Sequence, residues 1–168
     1  FLAGLSRIDF EIFNGANRAR LVQVAPSKRT VETQAIAVLL DCSASMKGLP
    51  LTTAKEVAAN FCIQNANPNR IQLWRFSDSA TAMTSFTIDS DVLVQAIRSI
   101  GAENGTALYQ AIQNATLSLS QRHERRSLIV LTDGEDSFNT ISPQSLIELC
   151  RQHNVVLHAV ALGAPKNG

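Results

Sequence analysis

The sequence predicts an α/β domain: a doubly wound, mostly parallel sheet flanked by helices, with one antiparallel edge strand and an amino-terminal β-hairpin. Three observations lead there. Two runs, residues 35–40 and 127–132, are apolar on nearly successive positions, as in strands covered on both faces. Segments with helical spacing of apolar residues alternate with the strands, the pattern of a parallel sheet with right-handed crossovers. Both buried runs stop at an aspartate, Asp41 and Asp133, at the end of an open sheet where such folds place ligands.

Residues 7–25 predict the hairpin. Ile8, Phe10 and Ile12 alternate with polar residues, Asn14-Gly15 suits a tight turn, and Leu21, Val22 and Val24 resume the apolar pattern. A polar connector over 26–34 leads into the first buried strand. Past Gly48-Leu49-Pro50, the positions Leu51, Ala54, Val57, Ala58, Phe61 and Cys62 fall at helical spacing. Pro50 suits a first turn, and Thr53 with Glu56 forms a capping-box pattern. Residues 65–69, with Pro68, end that helix. Residues 71–76 predict a strand with Trp74 and Phe76 on one face and Ile71 and Leu73 on the other. Ser77-Asp78-Ser79 then turns the chain into residues 80–86, expected as the antiparallel edge.

Asp89 or Ser90 caps a helix carrying Leu93, Ala96, Ile97 and Ile100 inward. The next helix has Leu108, Ala111, Ile112, Ala115 and Leu119 on one face. Thr106 stands at its entrance after Asn104-Gly105, where an N-cap is the simpler role. The second buried strand, 127–132, comes next. Ser142 and Pro143 start a helix with Leu146, Leu149 and Cys150 inward, and residues 155–162 form a last strand.

Composition excludes several classes. The 168 residues are the size of one domain, and 45% hydrophobic with 17% charged residues is a globular balance. A net charge of +1 makes no case for nucleic acid or a membrane surface. The basic run Arg122, Arg125 and Arg126, beside His123 and Glu124, is expected to be a solvated loop. No apolar stretch reaches the roughly 18 residues of a membrane span. The opening Phe1-Leu2-Ala3-Gly4-Leu5 is too short and uncharged for a signal peptide and lacks an initiator Met, so a monomeric domain of a longer protein is expected. Cys42, Cys62 and Cys150 fit neither a disulfide framework nor zinc spacing, which favours reducing, cytoplasmic surroundings, with an excised extracellular domain as the alternative. Cys62 and Cys150 are expected as buried thiols.

The chemistry concentrates after the first buried strand. Asp41, Ser43 and Ser45 occupy alternate positions, and alternate residues of an extended turn point the same way, so three hard oxygen donors converge. The runs D-C-S-A-S-M at 41–46, N-G-T-A-L at 104–108 and L-T-D-G-E at 131–135 then fall in order on this frame. Together they resemble the von Willebrand factor A-type domains, the Rossmann-like family that includes the integrin inserted domains. The resemblance covers residues 35–163, with Ala44 where many members have Gly and Cys42 in place of a small or aliphatic residue, its side chain expected to point away from the site.

That resemblance implies a metal-ion-dependent adhesion site made by Asp41, Ser43, Ser45, Thr106 and Asp133, holding magnesium, or manganese or calcium in the same place. Magnesium takes about six hard oxygen ligands and gives up water reluctantly. Hydroxyl ligands leave its charge uncancelled, so an Asp or Glu of a partner protein completes the shell. Met46, Lys47, Tyr109 and Glu135 are then candidate partner contacts on the rim, and Glu135 with Asp136 also reads as an exposed acidic turn. The resemblance divides the chain into a hairpin and connector, 1–34, packed on the A-type domain, 35–168. The family continues past the last strand with helix, strand and helix. The expectation is therefore either truncation or completion of the sheet edge by residues 8–13.

Two other readings stand beside it. A magnesium-dependent hydrolase of the haloacid dehalogenase type also has an aspartate after its first strand. It needs a second Asp two residues on, where Ser43 stands, and a positioned lysine, for which Lys47 is too close. No Gly-rich phosphate loop is present, and His123, His153 and His158 have no nucleophile or metal partner at telling spacing, so both strand and helix histidines read as structural and no catalytic residue is predicted. The third reading is a metal-free scaffold in which Asp41 and Asp133 are turn or capping residues.

Overall fold

The computed structural model describes residues 11–14, 16–19, 33–134, 136 and 141–162. The chain divides into two compact units, Phe1–Val31 and Glu32–Gly168. In the first, β1 (Ile12–Asn14) pairs antiparallel with β2 (Asn17–Ala19), with Asn14 opposite Asn17. The hairpin is present, and Asn14, expected in its turn, is instead a paired strand residue opposite Asn17. Ile12 and Phe13 belong to this two-stranded sheet. The other positions of the expected hairpin, Ile8, Phe10, Leu21, Val22 and Val24, lie outside the described residues.

The second unit is built around β3 (Gln34–Asp41). It pairs in parallel with β4 (Arg70–Phe76) on one side and β6 (Arg125–Thr132) on the other. Strand β7 (Val155–Ala161) extends the sheet parallel to β6, and the short β5 (Ala80–Ala82) closes the other edge antiparallel to β4. The order is β5-β4-β3-β6-β7. The chain thus winds outward through β4, then returns past β3 to wind the other way. Its direction reverses between β3 and β6, and the crevice at the carboxyl ends of those strands is the position where open α/β sheets bind ligands.

Side-chain alternation along β3 explains why its sequence is apolar throughout. Ile36, Val38 and Leu40 enter one core with Ile71, Leu73 and Leu131, and Ala35, Ala37 and Leu39 enter the opposite core with Trp74, Phe76, Leu128 and Val130. The first core is roofed by α1 (Leu49–Asn65) and α2 (Ser90–Ser99), through Leu51, Ala54, Ala58, Cys62, Leu93 and Ile97. The second is roofed by α3 (Leu108–Ser120) and α4 (Pro143–Gln152), through Leu108, Ala111, Ile112, Ala115, Leu119, Leu146 and Cys150. All three cysteines are free and buried, and burial pushes the Cys62 thiol up to about 11.

Helix starts follow local chemistry. Asp89 accepts from the Asp91 and Val92 amides to cap α2, and Ser142 accepts from the Ser145 amide to cap α4. Helix α1 departs from expectation. It begins at Leu49 behind Gly48, whose φ of 89° suits only glycine comfortably, with Pro50 in the first turn. Thr53 and Glu56 are therefore inside the helix and form no capping box, and Val57 is largely exposed.

The basic run also differs from the solvated loop expected. Arg125 and Arg126 open β6, and Arg126 donates to the carbonyls of Arg122 and His153. Arg122 pairs with Glu124 and lies 5.1 Å from the centre of the Phe86 ring. His158 lies exposed on β7, whose residues beyond Val155 are all exposed. No helix among the described residues is long and apolar enough to cross a membrane.

Candidate metal centre

Asp41 is the last residue of β3 and is 0% exposed. Burial holds its carboxyl above the usual range, opposed by hydrogen bonds from Thr132 and Ser43 and reinforced by the nearby negative charge of Asp133. One carboxylate oxygen, Oδ1, accepts from the Ser43 amide at 2.9 Å. The other, Oδ2, accepts from the Thr132 hydroxyl at 2.6 Å, which fastens the end of β3 to the end of β6. Thr132 Oγ1 in turn accepts from the Gly134 amide at 3.0 Å and so shapes the turn that carries Asp133.

Ser43 is extended and buried, and its hydroxyl lies 3.1 Å from that of Ser45. An extended run does not bring Ser45 there. Residues Ala44–Met46 form a 3-10 turn that folds Ser45 back towards Ser43. The same turn rotates Met46 inward. It is 0% exposed in the first core, so it is not the rim contact expected from sequence. Cys42 also points away from the serines, donating its thiol to the Phe76 carbonyl at 3.1 Å.

Thr106 is buried in the loop that joins α2 to α3. Backbone bonds tie this loop to the carboxyl ends of the central strands: the Glu103 amide donates to the Cys42 carbonyl at 2.7 Å, and the Ala107 amide to the Ser77 carbonyl at 2.5 Å. Thr106 does not cap α3. The cap position is Ala107, which offers no side-chain bond, and the Leu108 amide donates instead to Asp136 Oδ1 at 3.1 Å. Asp136 therefore connects the segment after β6 to the start of α3, where the sequence suggested a rim residue or an exposed acidic turn. Its spacing of 28 residues from Leu108 leaves no local signal that could have found it.

Of the remaining candidates, Lys47 is exposed and Tyr109 half-buried against the second core. Glu135 lies outside the described residues. Leu49, which the sequence reading passed over as a contact, is 77% exposed immediately after the serine turn.

The donor set suits a hard divalent cation. Asp133 Oδ1 is buried with no hydrogen-bond partner, a costly arrangement unless something positive completes it. Among the described residues no three His, Cys, Asp or Glu side chains gather at one focus. Carboxylate and hydroxyl oxygens are the donor type that suits a hard cation such as magnesium or manganese.

Comparison with known proteins agrees with this architecture. A protein of Borreliella burgdorferi, itself uncharacterised, is 28% identical over 139 residues, covering 77% of this chain, which spans 40% of that protein's length. The crystal structure of BatB from Bacteroides thetaiotaomicron superposes with a TM-score of 0.68 at 23% identity, over 80% of this chain and 68% of that one. Proximal thread matrix protein 1 from the mussel byssus, solved with zinc occupying its metal-ion-dependent adhesion motif, gives a TM-score of 0.65 at 24% identity, over 79% of this chain and 36% of that one. These structural likenesses speak for the fold. The family model of the von Willebrand factor type A domain matches residues 36–135, more than half of the chain, from within β3 to just past β6. The chain belongs to the von Willebrand factor type A domain family.

Proposed function

We propose that this domain is a divalent-metal-dependent protein-binding module, in which a magnesium ion held by Asp41, Ser43, Ser45, Thr106 and Asp133 accepts an Asp or Glu of a partner protein. Domains of this family are typically metal-dependent interaction modules. The observation that carries the reading for this chain is the buried, unpartnered Asp133 Oδ1 beside a second buried carboxylate, Asp41. Two such charges repel, and a cation between them removes the penalty.

The bound ion would supply an electrophilic position for an incoming carboxylate. The chain's own residues do the rest. Ser43, Ser45 and Thr106 offer neutral oxygens, which leave the ion's charge available to a partner. Thr132 holds Asp41 in place, and Lys47 and Leu49 present a basic and an apolar contact on the exposed rim. Hydrolase chemistry with Asp41 as nucleophile fits poorly, because Ser43 stands where that chemistry needs a second aspartate.

The test is a titration of magnesium or manganese followed by thermal unfolding. Native-state binding must raise stability by mass action, by about 2.7 kcal/mol at a concentration one hundred times the dissociation constant. The rise should vanish in Asp41→Ala and in the double variant Ser43→Ala/Ser45→Ala. Absence of any metal effect on the unaltered domain at millimolar concentration would refute the proposal. A partner captured with metal and released by chelator would extend it from metal to protein.

A further inference from the structure

The loop carrying Thr106 is held by a side chain that belongs to no metal-binding motif. Glu103 precedes Thr106 by three residues and reaches across the carboxyl ends of two strands. Its carboxylate pairs through Oε1 with the Arg75 guanidinium, and its Oε2 accepts from the Ser77 hydroxyl at 2.8 Å. Its own amide donates to the carbonyl of Cys42, the residue after Asp41, at 2.7 Å. Arg75 and Ser77 flank Phe76, the last residue of β4, whose carbonyl accepts from the Cys42 amide at 2.9 Å. One residue thus joins the ends of β3 and β4 to the loop between α2 and α3.

The rest of the loop is closely fitted. The Asp78 amide donates to the Asn104 carbonyl at 3.1 Å. Gly105, with φ +78°, lies so near that an added Cβ would fall 2.9 Å from Asp78 Cβ. Loop and strand ends can then move only together.

Resting on the metal reading above, we propose that Glu103 is a positioning residue for the metal centre. Its bonds to Arg75, Ser77 and Cys42 fix the loop so that Thr106 is presented to the ion, and they couple that loop to the backbone beside Asp41. Partners that orient a metal's ligands typically govern affinity by about 10- to 100-fold. An ion pair as exposed as this one contributes little to global stability. The two roles are therefore separable.

The experiment compares wild-type protein with Glu103→Gln and Glu103→Asp. Magnesium affinity is measured by calorimetry well below the melting temperature, and melting is measured in chelator. Glu103→Gln should bind magnesium about tenfold or more weakly while its metal-free melting temperature stays close to wild type. Glu103→Asp keeps the charge but is one methylene short of spanning both partners, so its affinity should be intermediate. Equal magnesium affinity in wild type and Glu103→Gln overturns the inference while leaving the metal reading intact. Full affinity in Glu103→Asp beside weak binding in Glu103→Gln also overturns it, since charge alone would then suffice. A wild-type protein that binds no magnesium removes the metal reading and this inference with it.

Discussion

Replacing Asp41 by Asn should make the metal-free domain more stable and the metal-loaded domain less stable. Burial is the largest influence on the Asp41 carboxyl and disfavours its charge, and the Asp133 charge adds to that, while Thr132 and Ser43 only partly compensate. Asn keeps the shape. Its carbonyl oxygen can still accept from the Ser43 amide. Its amide group would donate to Thr132 Oγ1, reversing one bond at a cost of about 1 kcal/mol. Because the folded protein holds the Asp41 proton more tightly than the unfolded chain, the stability linked to that proton is present at low pH and lost as pH rises through the folded-state value. The charged form of Asp41 is therefore a net liability to the metal-free domain, and removing that charge should raise its melting temperature. In saturating magnesium the wild type gains the mass-action term of about 2.7 kcal/mol at one hundred times the dissociation constant, which the variant lacks. The assay is thermal unfolding followed by fluorescence of the single tryptophan, Trp74, buried in the second core, in chelator and in magnesium. A variant that melts below wild type in chelator refutes the account of Asp41 burial. One that still gains the full magnesium increment refutes its place at the metal.

Other outcomes follow from particular contacts. Gly105→Ala should lose about 1–3 kcal/mol and weaken magnesium binding, since it forces a positive φ on a Cβ that meets Asp78; chemical denaturation beside a metal titration checks both. Met46→Ala should cost about 2–5 kcal/mol as a core truncation, whereas Lys47→Ala and Leu49→Ala should leave unfolding nearly unchanged and weaken only partner binding, measured by metal-dependent capture. Glu124 is held below the usual carboxylate range chiefly by Arg122, so its contribution is present at neutral pH and is lost as pH falls through its folded-state value; Glu124→Gln should flatten that part of the acid-unfolding curve.

Much of this fold is written in short-range patterns. The alternation of β3 between two cores, the faces of β4 with Trp74 and Phe76 opposite Ile71 and Leu73, and the inward stripe of α3 follow from residue periods of two and 3.6. The serine pair after Asp41 was legible as chemistry, although the 3-10 turn, not an extended run, brings the hydroxyls together. That same turn is why Met46 was misplaced on the rim. What the sequence did not reveal are contacts between distant positions. Glu103 meets Arg75 across 28 residues, and Asp136 meets the start of α3 across another 28. Neither leaves a periodic trace. The basic run misled for a related reason: a cluster of arginines looks hydrated until the carbonyls of Arg122 and His153 are brought beside Arg126.

The hydrogen bond from Thr132 to Asp41 joins residues 91 positions apart. A nascent or clipped chain lacking β6 leaves Asp41 without that brace and without Asp133, so neither half of the domain can display the oxygen cluster on its own. Under the proposed function, cation uptake would act as a certificate of complete assembly, and a partner that docks only through the ion would ignore incomplete molecules without any separate means of inspection.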